Sequence, residues 1–386
     1  MRLNLRESLL YLVTRLLARG DRRARTMADY QPENVQRILL VSSTALGDTV
    51  LSTAAMVAVR EHFPAAHITA LIHRDYVPLF EPTDFLDGII AYYGGYSHFF
   101  STFLALRRIH PDIALILHGN EPQATPLAYL AGARFIFKLP NTSRFAFLLS
   151  NQAPRLSWLD MGHGMMQRLK VAQLVGARIE GARMHLPIPN PTREIVTRWL
   201  AEHDVMAADI VIGLQAGASS RGRMWPVAHF VALAKMLLAV HPAYRFVITG
   251  APHERLRCEE IARGIGAGAI VAAGALSIEM LPALVHRCAV LVTGDTGTLH
   301  VAVAVGTPTV SLFAVSGPDV SGPAYDLERH IVIHHPAPAG VRSKTDNDRW
   351  MAQIPSDEVA AAVTQQLSQF AQQATACPER SSGGSS

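Results

Sequence analysis

The sequence predicts an α/β protein made of two doubly wound parallel-sheet domains. Three observations lead there. Short, continuously apolar runs end in loops of small residues. Each such loop opens a segment whose apolar residues recur at helical spacing. The alternation occurs twice, on either side of Pro187, Pro189 and Pro191. A strand covered by helices on both faces needs a run apolar at every position, and repeated strand–helix units imply a parallel sheet.

The chain begins with a leucine-rich segment, Leu3–Leu17, set among arginines; the first 25 residues hold seven arginines against Glu7 and Asp21. It reads as an amphipathic helix, and two settings fit it, an anionic membrane face or the protein's own surface; a mitochondrial transit peptide, also Arg-rich and acid-poor, ranks below both. Its apolar stretch, Ser8–Thr14, is broken by Arg15 and followed by no small-residue cleavage site, a poor match to a secretory signal. Ile38–Ser42 then reads as a buried strand, Val50–Phe63 as a helix stopped by Pro64, Ile68–Ile72 and Ile113–Leu117 as strands, and Leu169–Val175 as a helix closed by Gly176. Alternate prolines over 187–191 suit an extended linker. Beyond it come strands at Asp209–Leu214, Arg245–Thr249, Val290–Thr293 and Thr309–Phe313, with helices at Val227–Leu238, Thr298–Val305 and Ser356–Phe370. The expected organisation is a basic N-terminal segment over 1–34, a first domain over 35–186, the linker, a second domain over 192–354, a C-terminal helix over 355–373 and a disordered tail over 374–386. A cleft between the domains is expected to hold the site.

Composition removes several classes of function. The chain has 386 residues, 49% of them hydrophobic and 17% charged, enough apolar material for two cores. Lys and Arg number 35 and Asp and Glu 31, a net +4 concentrated in the first 25 residues, too little to imply nucleic acid as a partner. Cys258, Cys288 and Cys377 are odd in number and lack CxxC spacing, which disfavours disulfides and structural zinc. No uninterrupted run approaches the ~20 apolar residues of a membrane span. The expected location is the cytoplasm.

Three loops carry candidate chemistry, each between a strand and a helix, where free N–H groups favour anions. In the first, Ser42–Thr49, Asp48 fits two roles: an N-cap, which spacing alone favours, or a general base. In the second, Gly217–Pro226, Ser219, Ser220, Arg221 and Arg223 offer two hydroxyls and two guanidiniums suited to a diphosphate; a solvated loop is the other reading. In the third, Gly294–His300, Asp295 is better placed to accept hydroxyl hydrogen bonds from a sugar than to meet phosphate, or is a cap beside a satisfied His300. Gly264–Gly268 follows a helix and lacks the full dinucleotide fingerprint, so it reads as a turn. Asp346-Asn347-Asp348 and the histidines 330, 334 and 335 lack the partner ligands a metal needs.

Taken together, from about Arg37 to Val363, the chain resembles the heptosyltransferase-type glycosyltransferases of lipopolysaccharide core assembly, glycosyltransferase family 9. The resemblance rests on Ile38–Pro64 with its Leu46-Gly47-Asp48, on Leu214–Pro226 and on Leu291–Phe313, with Gly119-Asn120-Glu121 and Ala124–Leu127 in support. It implies a GT-B fold, two Rossmann-like domains facing a central cleft. It implies inverting, metal-independent transfer of a sugar, usually from ADP-heptose, with no cofactor. By position, Asp48 matches the catalytic base. Ser219 and Arg223, with Ser220 beside them, match the donor-phosphate contacts. Asp295, Thr296, Gly297 and Thr298, followed by His300, match the loop holding donor sugar and phosphates. Glu254 is placed like a carboxylate that grips the ribose diol. Thr44, Gly47 and Asn120 fall on the acceptor side.

The sequence departs from the family's pattern at three places. Trp350 stands where relatives often carry a cysteine, Thr298-Leu299 replaces the common Pro-Met, and the N-terminal segment lies outside the resemblance. An acidic glycolipid or related glycan acceptor on a cytoplasmic leaflet fits the basic N-terminus, which would touch the inner membrane peripherally through residues 1–25, and fits Arg60, Arg74, Arg107 and Arg108. The alternatives are another nucleotide sugar, for O-antigen, capsule or protein glycosylation, and a non-catalytic nucleotide-sugar-binding protein.

Overall fold

The computed structural model describes residues 5–22, 25–119, 123–341 and 347–376. By contact density the chain divides into two units, before and after the Leu186–Pro187 bond. In the first, helix α1 spans Leu5–Gly20, β1 Arg37–Ser42, α2 Leu46–His62, β2 His67–His73, α3 Val77–Phe80 and β3 Gly88–Tyr92. The chain then forms α4 over Phe99–Ile109, β4 over Ile113–His118, α5 over Ala124–Leu130, β5 over Phe135–Lys138 and α6 over Gly164–Gln173. The second unit opens with α7 at Asn190–Ala201, β6 at Val211–Gln215, α8 at Val227–Val240, β7 at Arg245–Thr249, α9 at Arg255–Ile265 and β8 at Ala269–Val271. It continues with α10 at Leu281–Arg287, β9 at Val290–Gly294, α11 at Gly297–Ala304, β10 at Thr309–Phe313, α12 at Pro318–Ser321, β11 at His330–His334 and α13 at Ser356–Ala376.

Both sheets are wholly parallel, in the orders β3-β2-β1-β4-β5 and β11-β10-β9-β6-β7-β8. The apolar strand runs have the cause expected of them. In the second unit Phe246 and Ile248 of β7 join a core with Trp225, Phe230 and Leu237, while Val247 between them joins another with Val196 and Leu284. Successive side chains point to opposite faces, and both faces are covered. Gly213 lies close under the side chains beside it: a Cβ there would stand 2.8 Å from Leu291 Cδ1 and 3.0 Å from Cys288 Sγ, so any larger residue would make those side chains shift.

Several expectations are corrected. The prolines at 187–191 are not all linker: α7 begins at Asn190 and takes Pro191 into its first turn, where proline's fixed φ and missing N–H cost nothing. α13 runs to Ala376, into the stretch expected to be disordered; residues 377–386 lie outside the described residues, as does Asp346 of the acidic triplet. The stretch Arg221–Val240 is apolar enough on average to span a membrane, yet Pro226 divides it and α8 buries Phe230, Leu233 and Leu237. The unforeseen strands are short or edge strands: β3 is half-buried, β5 has four residues and β8 three.

Helix α1 docks on the first unit. Leu10 and Thr14 are buried, and Tyr11 meets Phe145 and Phe147 edge-on with ring centroids 5.7 and 5.6 Å apart. Arg15 covers the Phe147 ring at 4.7 Å.

Buried His330 contacts Thr309 Oγ1 through Nδ1 at 3.0 Å, and burial pushes its pKa down to about 4. Unfolded, it titrates at its ordinary 6.5. The unfolded chain therefore binds the extra proton between these values, and stability falls as pH drops through that window. The expected loss is at most about 1.4 kcal/mol per pH unit from this group. Denaturant midpoints measured from pH 7 to 4 should decline less steeply in His330→Asn.

Candidate active site

The sequence motifs fall where each sheet reverses its strand order. In the first unit the reversal lies between β1 and β4. Two diverging loops leave a crevice there at the carboxyl ends of the strands, the usual ligand position in open α/β sheets. β1 and β4 slip register between Val41 and Ser42, which brings His118 opposite Ser42, and the Ser43 N–H bonds the His118 carbonyl at 3.0 Å. Asp48 follows in the first turn of α2.

Asp48 is not the helix cap that spacing favoured. The helix starts earlier than expected, with Ala45 at the N-cap and no side-chain cap bond. Asp48, within the first turn, turns its carboxylate to a buried cluster instead. Oδ1 accepts from Arg168 Nη2 at 2.7 Å, and Oδ2 accepts from the Thr44 hydroxyl at 2.9 Å. Thr44 Oγ1 also lies 2.6 Å from His118 Nδ1. A hydroxyl has one proton, and Thr44 gives it to Asp48, so His118 Nδ1–H donates to Thr44. Neutral His118 suits that chain: burial, then the Arg168 charge, hold its pKa down at about 4, with Asp48 opposing.

Arg168 is 3% exposed and Asp48 29%. Its other contacts are Nη1 to the Gly164 carbonyl at 2.7 Å and to Gln167 Oε1 at 3.3 Å. Burial lowers its pKa and the Asp48 carboxylate pulls it back up. Sequence reasoning missed Arg168 and His118. Arg168 lies 120 residues from Asp48, within a helix read only from Leu169. Gly47 is half-buried in the first turn of α2, and Asn120 lies outside the described residues.

In the second unit the reversal lies between β6 and β9, with β7 beyond β6. Three candidate segments therefore emerge side by side. Arg223 Nη1 pairs with Asp295 Oδ2 at 3.3 Å, joining the β6 and β9 loops. Ser219 is exposed and Ser220 half-buried. Gln215, at the end of β6, accepts from Thr298 at 2.9 Å and from Thr249 at 2.8 Å, tying all three strand ends together. Thr296 caps α11 by position, its hydroxyl 3.0 Å from Thr293 Oγ1; Gly297 begins the helix, and His300 is buried within it. Asp295 is therefore not the cap.

Glu254 closes the third side. Its Oε2 accepts from the Ala251 N–H at 2.7 Å, and its carboxylate presses on Gly217, where a Cβ would lie within 2.0 Å of both oxygens. Arg257, also missed from sequence, holds the ends of the β6 loop by bonds to the carbonyls of Ala216 at 3.0 Å and Trp225 at 2.5 Å.

Of the arginines assigned to an acidic acceptor, Arg60 is structural: it pairs with Asp87 and bonds the carbonyls of Pro64 and Ala66. Arg74 pairs with Asp75, and Arg107 bonds the Leu130 carbonyl. Among the described residues no three His, Cys, Asp or Glu side chains group as metal ligands.

Residues 182–351 match the sequence profile of glycosyltransferase family 9 (heptosyltransferase). The chain is 24% identical over 335 residues to lipopolysaccharide heptosyltransferase 3 of Escherichia coli, covering 83% of this chain and 96% of that one. It is 31% identical over 118 residues to lipopolysaccharide heptosyltransferase 2 of Salmonella typhimurium, covering 29% of this chain and only a third of that relative (33%). Its fold is similar to a glycosyltransferase family 9 structure from Veillonella parvula, with TM-score 0.73, 23% identity and coverage of 86% and 97%. It is also similar to E. coli ADP-heptose lipopolysaccharide heptosyltransferase II, with TM-score 0.71, 20% identity and coverage of 86% and 99%.

Two substitutions test the cluster. Asp48→Asn leaves Arg168 charged and unpaired, and is expected to cost about 3 kcal/mol in denaturant unfolding. Arg168→Met in the same chain should recover most of that loss. Gly217→Ala drives into Glu254 and should lower stability by about 1–3 kcal/mol; Glu254→Ala added to it should relieve the strain.

Proposed function

We propose that this chain, whose residues 182–351 are a glycosyltransferase family 9 domain, moves a heptose from ADP-heptose to a lipopolysaccharide-core or related glycan acceptor, by an inverting, metal-independent reaction with Asp48 as general base. The observation that carries the reading is the placement of both candidate loop sets at strand-order reversals, with Arg223 and Asp295 bridging one and Asp48 held by Arg168 at the other.

The second unit binds the donor. Arg223, Ser219 and Ser220, with the N–H groups that open α11 at Thr296–Thr298, hold the diphosphate, while Asp295 and Glu254 accept hydroxyl hydrogen bonds from the sugars. When diphosphate arrives, Arg223 exchanges one Asp295 oxygen for phosphate oxygens. Negative charge grows on that diphosphate as the anomeric bond breaks, and donors already aimed at it are worth ~3 kcal/mol each.

The first unit binds the acceptor. Arg168 and Thr44 fix the Asp48 carboxylate in rotation and leave it partly open to solvent. Asp48 takes the proton from the acceptor hydroxyl as that oxygen attacks the anomeric carbon from the face opposite the diphosphate. Base catalysis of this kind contributes ~10²–10⁴-fold.

Calorimetric titration with ADP, UDP and GDP, with and without magnesium, tests the donor. ADP is expected to bind most tightly and magnesium to change little. A preference for UDP or GDP would assign another sugar. Arg223→Ala should weaken ADP about 10–100-fold, the worth of a charge-assisted pair of hydrogen bonds, and leave adenosine nearly unchanged. An equal effect on both removes Arg223 from the phosphate. The Asp48→Asn/Arg168→Met double variant, folded and binding ADP, should have lost transfer; transfer at the parent rate overturns the base assignment.

A further inference from the structure

Helix α1 carries two apolar faces, and the first unit covers only one. Leu10, Tyr11, Thr14 and Ala18 face the protein. Leu5, Leu9, Leu12, Val13, Leu16 and Leu17 are 87, 62, 55, 39, 56 and 50% exposed. At about 100° per residue these six span roughly 140° of the helix, centred nearly opposite the docked side. Large aliphatic side chains contiguous in water mark an interaction surface.

Charge narrows the partner. The exposed arginines Arg6 and Arg19 lie toward the two margins of the stripe, and Arg22 is exposed just past the helix. Of the two acidic residues nearby, Glu7 sits on the docked side and is half-buried, and Asp21 pairs with Arg25 at 3.2 Å. The stripe is therefore rimmed by positive charge with no acidic residue on it. A second copy of the chain would have to set arginine against arginine across a self-complementary contact. An anionic lipid surface accepts both features: leucines enter the acyl boundary and arginines remain among the headgroups. α4, packed on the same core, leaves Phe100 68% and Leu104 39% exposed, with Arg107 and Arg108 in its last turn.

We propose that α1 is an in-plane membrane-docking helix, seated on the first unit by Leu10, Tyr11 and Thr14 and inserting Leu5, Leu9, Leu12 and Leu16 into an anionic bilayer. Tyr11 and Arg15 set its orientation through Phe145 and Phe147. The proposal is independent of which sugar is transferred.

The test is flotation of the full chain with phosphatidylcholine vesicles that contain or lack phosphatidylglycerol. Binding is expected only to the anionic vesicles and should weaken with salt. Arg6→Gln/Arg19→Gln should weaken it about 25-fold, fivefold per charge. Leu9→Gln/Leu16→Gln should weaken it by about tenfold or more per leucine, with an unchanged thermal midpoint because neither side chain packs inside. Equal binding to neutral vesicles, no binding, or undiminished binding of the leucine variant overturns the proposal. So does a dimer in sedimentation that the leucine variant dissociates, which would make a second copy the occupant.

Discussion

In each unit the chain leaves a central strand, β1 or β6, builds one half of a sheet, and returns to build the other half beside that same strand. Right-handed crossovers then put the helices of the two halves on opposite faces. Two loops diverge above the central strands. Everything chemical in this molecule follows from that constraint. Asp48 and His118 come from the two strands flanking one reversal, and Arg223 and Asp295 from the two flanking the other.

The two reversals are furnished differently. At the first, a buried cation and a hydroxyl bond one carboxylate, and a neutral imidazole donates to that hydroxyl, the arrangement proposed above to take a proton from the acceptor. At the second, the Arg223 guanidinium pairs with Asp295 near the start of α11 and the Glu254 carboxylate, the arrangement proposed above to receive the donor. Each site holds one ion pair, Arg168–Asp48 in the first and Arg223–Asp295 in the second. They differ in burial: Arg168 is 3% exposed and also bonds the Gly164 carbonyl and Gln167, whereas Arg223 is 25% exposed. The first pair is the more enclosed brace, and the second is the one proposed to exchange its partner on ligand binding.

Glycine sets how closely these parts approach. Gly213 leaves room for the Leu291 and Cys288 side chains against β6, and Gly217 lets the Glu254 carboxylate rest on the backbone of the Arg223 loop. Neither has a left-handed backbone; both are needed for space. This is why a strand glycine and a loop glycine in the same short segment carry structure as much as any turn does.

The sequence by itself determined the architecture and the three loops. Strands such as Arg245–Thr249 and Thr309–Phe313 were legible to the residue, because each is a short run rich in β-branched and other apolar residues bounded by loop residues. Edge strands such as β3 were not, since half-buried segments lose that contrast. The tertiary structure alone decided what Asp48 does. Its spacing from β1 suits a cap, but Ala45 takes the cap position and Arg168, 120 residues onward, takes the carboxylate. A cap is a local contact within one turn of chain, whereas an ion pair between distant helices depends on how α2 and α6 pack. The two faces of α1 divide the same way: its leucines are plain in the sequence, and only packing against Phe145 and Phe147 reveals which of them remain in water.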